Sequence, residues 1–281
     1  MRDVEVGQLH ELFLPADATR VSTATVGRGM YRFLLRPKWI GFHLLVVAGI
    51  LLMVNLGFWQ FRRLDQRRDF NAKVEARGRI APAPLDDVLA SGPPDEIEWR
   101  TVTTSGRYLR DEQFLVVNRS QNGRAGENVV TPMELGDGRT LIVNRGFVPL
   151  SSDAPGASDG VIEVVGRVRQ SQQRRTGQLS DPTEGELDEV QRLDIPRLER
   201  QLPGEVIPVY VDLLTSEPPE AAGLPEPVVR PPLGEGPHLS YAVQWFVFSV
   251  CVSVGWVLAV RRSMASRRRA ADQTFISADG G

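Results

Sequence analysis

Two uninterrupted apolar runs bracket the chain, roughly Trp39 to Phe61 and Leu239 to Val260. Each is a little over 20 residues, about what an α-helix needs to cross ~30 Å of hydrocarbon. Between them the pattern is polar with short alternating stretches, as in a globular domain. Trp99 to Tyr108, Gln113 to Asn118, Asn128 to Leu135, Thr140 to Val148 and Val161 to Val168 read as strands, with β-branched and aromatic residues at period two. Gly123, Gly126, Gly136-Asp137-Gly138 and the stretch 151–160 supply turns between them. Val206 to Leu214 reads as a further strand, and Pro208 within it predicts an edge position. Helical patterns are sparse: Arg62 to Arg77 continues the first run, Asp86 to Ala90 makes one turn, and Leu193 to Leu202 a short helix with Pro196 near its start. Residues 171–189 read as a loop. Residues 1–27 and 264–281 show no strong apolar periodicity and are expected to be mobile.

These elements predict a membrane α-helical hairpin of two transmembrane helices flanking an extracytoplasmic α+β domain with a mostly antiparallel sheet. The divisions are an N-terminal tail 1–38, a first span 39–61, the outer domain 62–238, a second span 239–260 and a basic tail 261–281. Charge sets the direction. Arg261, Arg262, Arg267, Arg268 and Arg269 follow the second span, whereas the nearest basic residue before it is Arg230. The positive-inside rule places the C-terminus in the cytoplasm, and two spans then place the N-terminus there too. The first run is too long for a signal-peptide core and has no small-x-small site after it, so it reads as an uncleaved anchor.

Composition changes the picture mainly by exclusion. The net charge of −2 gives no nucleic-acid footprint. The single cysteine, Cys251, lies in the second run and permits neither an intramolecular disulfide nor a Cys-based zinc site. Paired catalytic carboxylates, a Ser/His/Asp set and a phosphate-binding glycine loop are not evident, so no enzyme is expected.

Three motifs carry candidate chemistry. At the outer end of the first run stands Gly57-Phe58-Trp59-Gln60-Phe61-Arg62-Arg63. Trp59 and the arginines suit an interfacial anchor. Alternatively, Gly57 admits a second helix closely and Gln60 needs a partner at the edge of hydrocarbon. At the outer end of the second run stands His238-Leu239-Ser240-Tyr241-Ala242-Val243-Gln244-Trp245-Phe246, in which His238, Tyr241, Ala242 and Trp245 share a helical face. His238 suits either a snorkelling polar residue or a haem-iron ligand. The third is Asn144-Arg145-Gly146-Phe147-Val148-Pro149 at a strand exit. Arg145 there is either a surface residue or a bidentate donor to a carboxylate or propionate. Within the first run, His43 lies near the cytoplasmic end, and Asn55 is expected to hydrogen-bond across to the other helix.

In this order the motifs resemble the surfeit locus protein 1 family of cytochrome c oxidase assembly factors. The likeness spans about residues 39–262. It rests on Gly57-x-Trp59-Gln60-x-x-Arg63, Trp99-Arg100-x-Val102-x-x-x-Gly106-x-Tyr108, Gly126 through Thr131-Pro132, Asn144-Arg145-Gly146 with Val148-Pro149, and His238-Leu239-x-Tyr241-Ala242-x-x-Trp245-Phe246. Phe147 and Arg67 stand where the family usually has tryptophan and lysine.

The resemblance implies a factor for maturation of a haem a-containing oxidase in a bacterial plasma membrane, with the oxidase catalytic subunit and other respiratory-complex subunits as partners. It further implies haem a as a transient ligand, with His238 on the iron. Tyr241, Trp245, Trp59 and Gln60 would wall the site, and Arg63 or Arg145 would hold propionates. The alternative is a scaffold or resident accessory subunit that carries no haem and uses the same aromatics for helix contacts.

Overall fold

The computed structural model describes residues 32–220 and 223–278. After a 3-10 turn at Arg32–Leu35 the elements are α1 (Pro37–Gly78), β1 (Ala83–Pro84), α2 (Leu85–Ala90), α3 (Pro94–Ile97), β2 (Thr101–Tyr108), β3 (Phe114–Gln121), β4 (Arg124–Leu135), β5 (Arg139–Pro149), β6 (Val161–Gln170), β7 (Glu189–Val190), α4 (Ile195–Leu198), β8 (Glu205–Glu217) and α5 (His238–Ala278). The chain forms two compact units, one taking in residues up to Asp65 and from Gly236 on, the other Gln66–Glu235.

The first unit is an antiparallel pair of helices. Both α1 and α5 are long and apolar enough to cross a membrane. On α1 the less exposed positions include His43, Val46, Ile50, Met53, Gly57 and Gln60; on α5 they include His238, Ala242, Phe246, Ser249, Ser253 and Trp256. Steps of three and four residues give each helix one stripe, the pattern of knobs-into-holes packing. The outward faces are apolar and open: Leu44, Leu45, Leu51, Leu52, Val250 and Leu258 are all more than half exposed.

Asn55 departs from the expectation. It lies two residues from both Met53 and Gly57, about 200° around the helix from the stripe. It is therefore exposed, and its side chain makes no hydrogen bond among the described residues. The C-terminal segment departs too, because α5 runs on to Ala278. Residues 261–278 contain no glycine or proline and are rich in Arg and Ala, which sustain a helix. The expectation for residues 1–27 lies outside the described residues.

The second unit is built on a ring of strands. β2 pairs with β6, β6 with β8, β8 with β5, and β5 with β4. β4 returns to β2 at Gly106–Tyr108, which closes the ring. All these pairs are antiparallel except β5–β8. This is the connectivity of a five-stranded Greek-key barrel of the OB type. β3 and β7 extend outward from β4, and β1 adds to β2 in parallel.

Alternation along the strands sends Val102, Met133, Leu141, Val143, Val168, Val209 and Val211 into the barrel, all at 0% exposure. The opposite faces send Val130, Ile142 and Tyr210 outward, into a second cluster closed by Phe114, Val116, Val190, Leu193, Ile195 and Leu198. β5 is thus buried on both faces, which explains its continuous Leu141-Ile142-Val143 run.

β8 is not an edge strand. It lies between β5 and β6. Pro208 is accommodated because Thr140 faces Val206 while Ile142 faces Tyr210, so a bulge at 207–209 opposes Leu141 alone. A bulge is the other place where a sheet tolerates a residue without an N–H.

Candidate functional site

The two helix motifs meet within the helical unit. Gln60 is 8% exposed, and its Oε1 lies 2.9 Å from Nδ1 of His238. A carbonyl oxygen can only accept, so Nδ1 is the donor of this bond, and in the neutral imidazole the lone pair then belongs to Nε2. His238 opens α5 directly after Pro237, whose fixed φ suits a helix start. The costly amide at the end of the first apolar run and the histidine at the start of the second therefore satisfy and orient one another.

Gly57 makes this approach possible. A Cβ placed on it would lie 2.7 Å from Phe246 Cζ and 2.8 Å from Cε2. The Phe246 ring fills the space above Gly57 and stacks on Phe61 at 5.9 Å, with Phe58 edge-on at 5.5 Å. Ala242, one turn before Phe246, is fully buried. Phe246 was legible as part of a motif but not as the seam partner of Gly57. Its spacing of four from Ala242 and eight from His238 was the available signal.

The other predicted residues are placed differently. Trp59 and Tyr241 stand on the outer surface, 43% and 48% exposed. Trp245 is half-buried and edge-on to Phe248 at 6.2 Å. The Arg63 guanidinium lies 5.7 Å from the Trp59 ring centre. These groups flank the Gln60–His238 pair as an open ledge, not as a closed slot.

Arg145 belongs to the barrel unit and is committed there. Its side chain is 1% exposed. Nε donates to Glu220 Oε1 at 2.8 Å, Nη1 to Gln113 Oε1 and Pro155 O at 3.0 Å each, and Nη2 to Gly156 O at 3.1 Å and to Glu220 Oε2. All five donors of the fork are used, so the expectation that Arg145 holds a propionate is replaced by a structural role. It ties the loops 155–156 and 218–220 to β5.

The next residue of that motif explains its glycine. Gly146 has φ +142, and a Cβ on it would lie 2.3 Å from Glu226 O. The returning chain pairs there with Phe147, whose N–H donates to Glu226 O at 2.7 Å and whose C=O accepts from Glu226 N at 2.8 Å. The run Asn144-Arg145-Gly146-Phe147 thus fastens the proline-rich return segment to the barrel.

A second histidine pairs across the hairpin with the opposite polarity. Trp256 Nε1 donates to His43 Nδ1 at 2.9 Å. Since Nδ1 accepts, Nε2 of His43 bears the proton and has no lone pair to give a metal. Among the described residues no group of three or more His, Cys, Asp or Glu is arranged to hold a metal ion.

The model of the SURF1 family matches residues 47–250. The chain belongs to the SURF1 family. The match takes in the Gly57–Gln60 segment, the barrel and the start of α5, so the likeness first carried by short motifs holds over most of the sequence. This family member is similar to a SURF1-like protein of Mycobacterium tuberculosis, 28% identical over 246 residues that make up 84% of this chain and 89% of that one. It is similar to surfeit locus protein 1 of Homo sapiens, 25% identical over 232 residues, 72% of each chain. A shorter stretch of 112 residues is 30% identical to the cytochrome oxidase assembly protein SHY1 of Saccharomyces cerevisiae, covering 40% of this chain and 29% of that one.

Proposed function

We propose that this protein is a membrane-anchored maturation factor for a haem a-containing cytochrome c oxidase, and that His238 takes up haem a in transit to the catalytic subunit. Membership of the SURF1 family and likeness to a protein named as a cytochrome oxidase assembly protein support the oxidase role. The open apolar faces of α1 and α5 support a hairpin in a bilayer, since a water-exposed surface of that kind is strongly unfavourable. The arginines after Val260 orient both termini to the cytoplasm of a bacterium, with the barrel unit outside.

One observation carries the haem reading: Gln60 fixes the His238 tautomer through Nδ1. A ligating histidine characteristically donates its other N–H to a fixed acceptor, which sets the ring and raises its basicity. His238 Nε2 then offers its lone pair to the iron of haem a. Trp59 and Tyr241 supply apolar surface beside it, and Arg63 supplies a cation for a propionate. The protein acts stoichiometrically, not as an enzyme. An open ledge suits a cargo that must leave, because the receiving subunit can close over the exposed side.

The exposure of Trp59 and Tyr241 also favours a second reading, a haem-free scaffold that uses this ledge to grip an oxidase helix. Complementation of a deletion strain separates the two. Under the haem reading, His238→Ala accumulates normally in the membrane while the oxidase lacks haem a. Normal haem content in the oxidase with His238→Ala leaves only the scaffold.

A further inference from the structure

A cavity of about 370 Å³ opens on the outer face of the barrel, between β3, β5, β6, β8 and the return segment Val228–Pro232. Its charges are unbalanced. Arg169 is paired, with Nη1 3.2 Å from Asp212 Oδ2 and Nε 3.2 Å from Glu98 Oε1. Arg119, by contrast, donates only to neutral oxygens, Gln191 O at 3.0 Å and Gln172 Oε1 at 3.4 Å. Its Nε is buried with no partner. Arg230 lines the mouth and has no carboxylate within ion-pair reach among the described residues. Arg167, the cross-strand neighbour of Asp212, is 4% exposed and leaves Nη1 unpartnered. Three guanidinium groups, Arg119, Arg169 and Arg230, line the cavity against one lining carboxylate, Asp212, an excess of two positive charges, while Arg167 and Glu98 stand behind the lining. Burial holds Arg119 and Arg167 below the usual arginine range, and Arg230 pushes Arg167 the same way.

The orphan polar atoms specify more than charge. Asn144 lines the cavity, is 3% exposed, and donates Nδ2 to Asp212 Oδ1 at 2.8 Å. That bond fixes the amide, so Oδ1 is an acceptor, and it is buried with nothing to accept. The site thus presents unmatched cations together with an unmatched acceptor. A ligand that meets both is a dianion bearing a hydroxyl. The cavity is small, at the lower end of the range for small-molecule sites. Asn128 on β4 and Asn144 on β5 line it, and the outer face of the second and third barrel strands, here β4 and β5, is where barrels of this connectivity bind ligands, an analogy at the level of fold.

We propose that this cleft binds a phosphoryl dianion, as hydrogen phosphate or as a hydroxylated phosphomonoester. Arg119 and Arg230 contact the phosphoryl oxygens, and Asn144 Oδ1 receives the ligand hydroxyl. Arg167 contributes charge from beside Asp212. Guanidinium forks match phosphoryl oxygens in bidentate geometry, which a single ammonium does not. This site is independent of His238 and of any haem.

The test is calorimetric titration of the detergent-purified full chain with inorganic phosphate, glycerol 3-phosphate, short-chain phosphatidic acid and succinate. The expected result is saturable binding of the first two, with succinate at least about tenfold weaker. Arg119→Gln and Arg230→Gln should each weaken phosphate about tenfold, while Arg200→Gln, at an exposed position that does not line the cavity, leaves it unchanged. Tighter binding of phosphatidic acid than of glycerol 3-phosphate assigns the phosphoryl group to a lipid; equal or weaker binding assigns it to a soluble compound. Arg230 is exposed, so its variant decides if Arg119→Gln does not fold. No saturable phosphate heat, binding undiminished in Arg230→Gln, or succinate binding as tightly as phosphate each overturns the proposal.

Discussion

Gln60 Oε1 accepts the Nδ1 proton of His238 at 2.9 Å, across 178 positions of sequence. The bond joins the C-terminal end of the first apolar run to the N-terminal end of the second and decides which ring nitrogen of the neutral imidazole keeps its lone pair. Replacing Gln60 by Leu removes the acceptor without removing the imidazole. Loss of such an outer hydrogen bond typically weakens a metal ligand by about 10- to 100-fold. Gln60→Leu is expected to lower haem a retention by that order, and Gln60→Glu, which still accepts, to keep it. Haem content per purified protein measures both.

Gly57 and Phe246 share one space. Gly57→Leu must displace the ring, since even a Cβ falls 2.7 Å from it. Overpacking of this kind costs about 1–3 kcal/mol. A lowered thermal midpoint in detergent is expected for Gly57→Leu, with recovery in Gly57→Leu/Phe246→Ala. If the double variant is no more stable than the single one, the ring is not the obstacle.

Arg145 anchors the barrel instead of serving a ligand. Arg145→Met leaves Glu220, Gln113 and two backbone carbonyls without their donor. Breaking a buried ion pair by removing one partner costs about 3–5 kcal/mol. Urea unfolding followed by Trp99 fluorescence should show a loss of that size. A loss near the ~0.5 kcal/mol typical of surface changes contradicts the buried role.

Asp212 gives the domain a pH dependence. Burial raises its pKa above the ordinary 3.8, outweighing Arg169 and the Asn144 hydrogen bond. The folded state then holds the proton more tightly than the unfolded chain. Stability due to this group is greatest below 3.8 and declines as pH rises through the raised folded value. Denaturation midpoints compared across that window should fall with pH more steeply in the wild type than in Asp212→Asn. Parallel profiles contradict the assignment.

Much of this architecture was legible in the pattern of the chain. The two runs, the strand series and the helix past residue 62 all appear near their expected places, because each is set by local periodicity. What the sequence did not disclose depends on pairing at long range. Pro208 looked like an edge residue because a bulge opposite Leu141 cannot be read from one strand. Asn55 looked like a cross-helix donor because the stripe of α1 is defined only once α5 lies against it. Gln60 and His238 each stand out in the sequence, but their bond does not. Arg145 reads correctly as a bidentate donor to a carboxylate; that carboxylate is Glu220, 75 positions away, and not a propionate.

The most direct test of the haem reading is the absorption spectrum of the detergent-purified protein from cells that make haem a, beside His238→Ala and His43→Ala. A haem a spectrum is expected in the wild type and in His43→Ala, and its loss in His238→Ala. A colourless wild-type protein, or pigment that survives in His238→Ala, contradicts the haem reading.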